Sequence, residues 1–138
     1  MPVGVDIFSG AGGLSLGAEM AGIEVRFAVE RDESAAETYR YNHPDTTMLC
    51  DDIHNINPLE HLNENDDVFI VFGGPPCQAF SMLNRHNASI ADDKRCLLYL
   101  QYGKFLAKYK PMGFVFENVL GLLSSKKNHF ENIRIKNI

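Results

Sequence analysis

Short apolar runs alternate with helix-like patterns along this chain, and that alternation restricts the folds open to it. The runs are short and bounded by turn residues, which is typical of buried strands. Between them, Asp32 is a helix N-cap residue, and Gly22 and the His43-Pro44 pair are helix stops. Strand-helix-strand alternation predicts an α/β fold with an open, mostly parallel, doubly wound sheet. The predicted strands are Val3–Phe8, Glu24–Val29, Thr46–Cys50, Val68–Phe72 and Gly113–Phe116, and the predicted helices lie at 14–21, Glu33–Asn42 and Arg95–Lys108.

The fourth predicted strand and the segment after it are the most distinctive part of the chain. Val68–Phe72 reads VFIVF without polar alternation, so we expect a central strand with both faces covered. Residues 74–93 then show neither a strand nor a helix pattern. This stretch is too long for an ordinary connection between a strand and a helix, and loops of such length are usually functional.

Length and composition exclude several classes of protein. A chain of 138 residues suits one domain. It contains no apolar run approaching the roughly 20 residues that span a bilayer, and its N-terminus lacks the basic region of a signal peptide. Cys50, Cys77 and Cys96 fit no CxxC pattern and cannot all pair, so we expect a reduced, cytoplasmic setting. The histidines lack metal-ligand spacing such as HExxH, and we predict no metal site.

Charge is divided unevenly along the chain, although the net charge is only -5. Residues 1–93 contain 4 Lys and Arg against 16 Asp and Glu, whereas residues 94–138 contain 9 against 2. One interpretation is a solvated basic helix and tail. The other is that the second part of the chain lies nearer to a nucleic-acid backbone.

A glycine-rich turn follows the first predicted strand. Ser9, Gly10, Gly12 and Gly13 lie there, and glycines permit both a tight turn and the approach of a ligand to the backbone. A dinucleotide fingerprint would read Gly-x-Gly-x-x-Gly, but its third position is Ser15 here, which argues against NAD. By itself the turn indicates either a ligand-binding corner or merely a tight one.

Acidic residues stand at the ends of the second and third strands. Glu30 is placed to accept hydrogen bonds from both hydroxyl groups of a ribose, and Asp51-Asp52-Ile53 places a carboxylate where it can face an adenine amino group. The carboxyl ends of parallel strands line one crevice. Each acid alone is typical of a surface charge, but together with the glycine turn the acids predict an adenosyl-binding site.

The segment GGPPCQAFS displays a cysteine after the central strand. Two prolines fix the chain before Cys77 and remove backbone donors, and a thiol in that position is rarely a packing residue. Cys77 is therefore a candidate functional thiol, whereas Cys50 and Cys96 are expected to be inert core thiols. Glu117 ends the fifth strand, where its carboxyl group would share the crevice with Cys77.

These segments, in this order and spacing, resemble the DNA (cytosine-5) methyltransferases. The resemblance is carried by DIFSGAGGLSLG, Glu30, GGPPCQAFS and FENV, and it extends from Val3 to Leu123. It covers the N-terminal part of the family pattern, and it implies a Rossmann-like, S-adenosylmethionine-dependent methyltransferase fold that is incomplete at the C-terminus. Residues 1–138 would then form the cofactor-binding, catalytic part of such an enzyme, without its target-recognition region.

The resemblance also implies roles for individual residues. Cys77 would add to carbon 6 of a cytosine flipped out of DNA, and Glu117 would hold the base while carbon 5 is methylated. S-adenosylmethionine would be the methyl donor and S-adenosylhomocysteine the product. The residues implied to bind the cofactor are Phe8, Ser9, Gly10, Gly12, Gly13, Glu30, Arg31, Asp52, Ile53, Gly74, Pro76 and Leu98, and those implied to bind the substrate are Gln78, Ser81, Arg85 and Asn118.

The chain departs from the family pattern in several places. Arg31 stands where the family usually has a bulky apolar residue against the adenine. The later Gln-x-Arg segment, the target-recognition region and the returning C-terminal segment are missing. The resemblance therefore implies little activity for the chain alone, and a complementary chain as a partner besides DNA.

Several functional alternatives stay open. A restriction-modification enzyme is the expected biological type. The chain would otherwise be a non-catalytic fragment or subunit of a split methyltransferase, or part of a tRNA cytosine-5 methyltransferase. A thiol hydrolase is a remote alternative, because no histidine stands in a motif that would mark it as a base for Cys77.

Overall fold

The computed structural model describes residues 1–63, 65–76 and 97–117. Within these residues, five strands form one sheet, and three helices and a short 3-10 helix pack against it. The strands are β1 (Val3–Ile7), β2 (Glu24–Glu30), β3 (Thr47–Cys50), β4 (Val68–Gly73) and β5 (Gly113–Phe116). The helices are α1 (Gly13–Met20), α2 (Glu33–Asn42) and α3 (Leu97–Tyr109), and the 3-10 helix is Ile53–Asn55.

All neighbouring strands are parallel, in the order β3-β2-β1-β4-β5. The predicted open, parallel α/β sheet is therefore confirmed, and each predicted element is found within two residues of its expected ends. The strands β2 and β3 lie on one side of β1 in the sheet, and the later strands β4 and β5 lie on its other side. The strand order reverses between β1 and β4, and open α/β sheets bind their ligands at such a point.

The hydrophobic core lies between α3 and one face of the sheet. Burial of apolar surface is the main stabilising term in folding, at roughly 25 cal/mol per Å². Alternate residues of β1 point into this core, while Asp6 between them points to the opposite face, toward α1. The buried members of the core include Val5, Ile7, Phe27, Val29 and Val71 from the strands, and Tyr102, Phe105 and Leu106 from α3.

Two tyrosines fix α3 against the rest of the core. The hydroxyl group of Tyr102 lies 3.2 Å from the carbonyl oxygen of Val71 and 2.8 Å from that of Val115, so it bridges β4 and β5. Tyr109 donates a hydrogen bond to the carbonyl oxygen of Pro58 at 2.5 Å. Such bonds contribute about 1 kcal/mol each and restrict the rotation of the helix about its axis.

The helices α1 and α2 cover the opposite face, beside β1, β2 and β3. The predicted cap of α2 is confirmed, since the carboxylate of Asp32 accepts a hydrogen bond from the backbone N–H of Ala35 at 2.8 Å. Capping fixes the first turn of α2 directly after the end of β2, and therefore directly after Glu30.

Two expectations about burial were wrong. Phe69 of β4 is 38% exposed, although both faces of this strand were expected to be covered. Cys50, expected to be a core thiol, is exposed because it ends β3 at the edge of the sheet. An apolar run identifies a strand, but it does not show which parts of its faces the helices reach. Within the described part of the chain, no helix combines the length and apolar character needed to cross a membrane.

Gly73→Ala should destabilise the protein far more than Gly103→Ala. Gly73 has a φ of 153°, and a Cβ atom at this position would collide with the carbonyl group of Ile7 on β1. Gly103 lies within α3, and apart from its chain neighbours and the backbone of its own helix, no atom lies within 4 Å of its Cβ position. Alanine should therefore stabilise that helix by about 0.5–1 kcal/mol. Urea unfolding of both variants measures the difference. Equal stabilities would contradict the close approach of β4 to β1.

Candidate active site

A cleft of about 250 Å³ opens at the carboxyl ends of the strands, where the strand order reverses. It brings together nine of the twelve residues predicted to bind the cofactor. The cleft is also lined by Val29, which was not predicted to bind the cofactor. Asp51 lines it too, and was predicted to lie near the adenine only as a member of the Asp51-Asp52 pair. The predicted residues in its lining are Phe8, Gly10, Glu30, Arg31, Asp52, Ile53, Gly74, Pro76 and Leu98.

Two backbone groups hold the side chain of Glu30 in the lining of the cleft. Its Oε2 accepts a hydrogen bond from the N–H of Gly10 at 2.8 Å, and its Oε1 accepts one from the N–H of Asp32 at 2.8 Å. The carboxylate therefore connects the glycine turn after β1 to the start of α2. Each carboxylate oxygen can accept more than one hydrogen bond, so both retain capacity for the hydroxyl groups of a ligand.

A second carboxylate faces the cleft from the segment after β3. Asp52 Oδ1 accepts hydrogen bonds from the backbone N–H of His54 at 3.0 Å and from its Nδ1 at 2.6 Å. The backbone hydrogen bond from His54 is the main reason that the pKa of Asp52 is lowered, so this group stays ionised. Its Oδ2 lies 3.9 Å from Nη1 of Arg31, whose side chain is 83% exposed.

Apolar side chains form the remaining walls of the cleft. Phe8 adopts a φ of 65°, which non-glycine residues rarely adopt, and this turns the chain sharply at the end of β1. The next residue, Ser9, donates its N–H to the carbonyl oxygen of Val29 at 3.0 Å and so keeps the turn beside β2. Phe8 and Leu98 are half-buried and pack against the core, and Ile53 belongs to it. The cleft is therefore apolar along its walls and acidic at its rim.

Three of the predicted cofactor residues do not line the cleft. Ser9 is buried in the turn, and Gly13 begins α1. Gly12 has a φ of 99°, and a Cβ atom there would collide with the rings of His43 and Tyr39. The requirement for glycine at position 12 thus comes from packing beneath the turn, and the approach of a ligand is not needed to explain it.

A buried chain of hydrogen bonds lies behind the turn, and the sequence analysis missed it. Ser15 Oγ is 2.6 Å from Oδ2 of Asp6 and 2.6 Å from the hydroxyl oxygen of Tyr39, and all three residues are fully buried. Burial raises the pKa of Asp6 to about 7, although the hydrogen bond from Ser15 acts in the opposite direction. An acid between apolar residues of a strand was the available signal in the sequence.

Glu117 is positioned next to the segment that leads to Cys77. Its backbone N–H donates to the carbonyl oxygen of Gly73 at 3.1 Å, and a Cβ atom on Gly74 would collide with its Oε2. The side chain of Glu117 is exposed, and it lies beside the cleft residue Gly74 without being part of the described cleft lining. The predicted site residues Cys77, Gln78, Ser81, Arg85 and Asn118 lie outside the described residues. Among the residues that the structure does describe, no group of three or more His, Cys, Asp or Glu side chains could hold a metal ion.

This chain has a parallel sheet with a cleft at the point where the strand order reverses, which is the fold of the Rossmann-like methyltransferases. The sequence profile of the family described as C-5 cytosine-specific DNA methylase matches residues 3–137. The chain belongs to this family, as the resemblance of its motifs predicted.

Individual relatives agree with this assignment. The Type II methyltransferase M.Sau96I of Staphylococcus aureus is 42% identical over 121 residues, which are 86% of this chain and 27% of the relative. M.DdeI of Desulfomicrobium norvegicum is 38% identical over 122 residues, which are 88% of this chain and 29% of the relative. One similar solved structure is a crystal structure of a prophage-encoded E. coli protein described as a DNA modification methyltransferase. It superposes with a TM-score of 0.79 at 34% identity, and the match covers 96% of this chain and 36% of that protein. The chain thus spans about a third of the length of these relatives.

Asp6→Asn should remove a distinctive pH dependence of stability. In the unfolded chain Asp6 binds a proton only below about pH 4, whereas the folded protein retains that proton up to about pH 7. The free energy of unfolding therefore falls as the pH rises from about 4 to about 7, by about 4 kcal/mol from this group.

Urea unfolding at several pH values tests this expectation. The exposed residue Asp45 provides the control, and Asp45→Asn should keep the wild-type pH profile. If Asp6→Asn also kept that profile, the raised pKa of Asp6 would be wrong.

Proposed function

We propose that this chain forms the S-adenosylmethionine-binding and catalytic part of a DNA (cytosine-5)-methyltransferase of the bacterial restriction-modification type. The single observation that carries the proposal is the cleft in which Glu30 is fixed by Gly10 and Asp32, in a chain of this family. The relatives M.Sau96I and M.DdeI are Type II methyltransferases, which supports the restriction-modification type.

The residues of the cleft fit S-adenosylmethionine. The carboxylate of Glu30 suits the two ribose hydroxyl groups, and the ionised carboxylate of Asp52 suits the adenine amino group. Phe8, Ile53 and Leu98 supply apolar surface for the base. The acidic rim also suits a ligand that carries a positive sulfonium and a positive ammonium group. When bound, this cofactor supplies an electrophilic methyl group.

The catalytic residues of the proposal are Cys77 and Glu117. The thiolate of Cys77 forms a bond to carbon 6 of cytosine, which interrupts the aromatic ring and makes carbon 5 nucleophilic. Glu117 holds N3 and the exocyclic amino group of the base and stabilises the charge that develops there. After methylation, loss of the proton from carbon 5 breaks the bond to sulfur and restores the ring.

Two observations support this assignment. Pro76 lines the cleft and immediately precedes Cys77 in the chain, and the carboxylate of Glu117 lies beside Gly74 at the same edge. A cytosine stacked in a duplex cannot reach such a cleft, so the base must be flipped out of the helix, which costs roughly a few kcal/mol. In this proposal, a complementary chain supplies target recognition. The residues of this chain that contact the nucleic acid are Gln78, Ser81, Arg85 and Asn118.

Glu30→Gln should weaken the binding of S-adenosylhomocysteine by about 10- to 100-fold, because an amide can accept hydrogen bonds at only one of its two polar atoms. Either Gly10 or Asp32 then loses its acceptor, and the ligand loses a charged partner. Isothermal titration calorimetry measures the dissociation constant. The control is Glu24→Gln at the opposite end of β2, where the carboxylate pairs with Arg26 at 2.8 Å. Equal affinities for the two variants would contradict the assigned ribose site.

Methyl transfer should depend on Cys77 and require more than this chain. We expect little or no transfer from labelled S-adenosylmethionine by the 138 residues alone. Transfer to DNA is expected once the remaining region of a relative such as M.Sau96I is added as a complementary chain. Cys77→Ala should abolish that transfer, and Cys50→Ala, which removes an exposed thiol, should preserve it.

Parallel assays with duplex DNA and with tRNA separate the two substrate classes. Methylation of tRNA without methylation of DNA would overturn the DNA assignment. Transfer that survives in Cys77→Ala would show that the nucleophile is a different group.

A further inference from the structure

His43 lies beneath the glycine turn, and the proposed function gives it no role. Its side chain is only 2% exposed. Its Nε2 is 3.1 Å from the carbonyl oxygen of Gly12, and its Nδ1 is 2.9 Å from Oε1 of Glu19 on α1. The ring also packs against that of Tyr39 on α2, with the ring centroids 4.5 Å apart and the planes tilted by 37°. It fills the space that a side chain at position 12 would need. His43 therefore connects the end of α2 to the turn before α1.

Both hydrogen-bond partners of His43 are acceptors. Neither a carbonyl oxygen nor a carboxylate oxygen donates a proton, so each ring nitrogen must donate for both bonds to form. The two bonds therefore exist together only when the imidazole carries both ring protons and a positive charge. The charged and titratable groups around it in the described part of the chain are Asp6 on β1, Glu19 on α1 and Tyr39 on α2.

The carbonyl group that His43 binds belongs to the residue at which the turn enters α1. Gly12 accepts a hydrogen bond from the N–H of Leu16 at 2.9 Å, and its own N–H donates to Ser9 at 3.1 Å. Fixing Gly12 therefore fixes the path of the chain back through the turn to Gly10. The N–H of Gly10 is the group that binds Oε2 of Glu30.

We propose that His43 is a positioning residue for the cleft. The protonated ring holds the Gly12 carbonyl group and the Glu19 carboxylate at the same time. This sets the glycine turn and thereby the Gly10 N–H that orients Glu30. Cofactor affinity is then highest while both bonds are formed, and it falls when one of them is lost. The inference rests on the proposed function, because it assigns His43 to the same cofactor site.

Substitutions on the two faces of the sheet test the positioning role. His43→Gln leaves only one side-chain donor group and no charge, so we expect about tenfold weaker binding of S-adenosylhomocysteine, from the loss of a charged hydrogen bond. The control is Tyr109→Phe, which loses a single partly buried hydrogen bond beside the core and should bind as wild type does. Calorimetric titrations are made below the unfolding temperature of each variant. Equal loss of affinity in both variants would indicate general destabilisation and overturn the proposal.

The Glu19→Gln variant separates positioning through the hydrogen bonds of the ring from simple packing. In this variant the ring and its bond to Gly12 remain, but the charged acceptor of the Nδ1 bond is gone. Affinity for S-adenosylhomocysteine at one fixed pH should then be severalfold weaker than in wild type, because a neutral amide holds the ring less firmly than a carboxylate does. Equal affinity of the two proteins would overturn the proposal.

Nitrogen NMR of the His43 ring in the ligand-free protein provides a readout that does not depend on binding. Protons on both ring nitrogens are expected from the two acceptors that face the ring, and a bare nitrogen would overturn the inference. The outcomes also separate the two proposals. If wild type fails to bind S-adenosylhomocysteine at any pH, the proposed function fails. If wild type binds and the His43 variants bind equally well, only the role of His43 fails.

Discussion

The carboxylate of Glu30 is the interaction on which the rest of the site depends. It is bound by the N–H of Gly10 in the turn after β1 and by the N–H of Asp32 at the start of α2. One side chain therefore fixes two strand ends and one helix start relative to each other. Because both bonds are made to backbone groups, they fix the geometry without depending on mobile side chains. A cleft built in this way is ordered before a ligand arrives, which reduces the entropy lost on binding.

The same corner of the molecule contains features that lower stability. Phe8 adopts a backbone conformation that costs roughly 1–3 kcal/mol for a non-glycine residue. Asp6 is buried, and its Oδ1 has no hydrogen-bond partner among the described residues. Phe8 lines the cleft and Asp6 lies behind the glycine turn, whereas the space beneath α3 is filled by apolar side chains. Stability is thus supplied by the core beneath α3, whereas the buried acid Asp6 lies on the α1 side of the sheet.

Much of the fold could be predicted because hydrophobic periodicity and capping residues are local signals. The run VFIVF and the cap at Asp32 each define an element without knowledge of the rest of the chain. The hydrogen bonds of the site were harder to foresee. These features depend on contacts between residues that are far apart in sequence. The ring of His43 requires glycine at position 12, and Ser15 joins Asp6 to Tyr39. Periodicity identifies faces and ends of elements, but it contains no information about which polar groups meet between them.

The electrostatics of the cleft bear on how a nucleic acid would approach it. Glu30, Asp51 and Asp52 line the described cleft beside one basic residue, Arg31, so its rim repels a phosphate backbone. A neutral base experiences no such repulsion. On the proposed function, the backbone must therefore stay outside while a single base enters, which is the geometry that base flipping produces. The division of charge along the sequence fits this arrangement, since the acidic residues 1–93 build most of the cleft and the basic excess falls in residues 94–138.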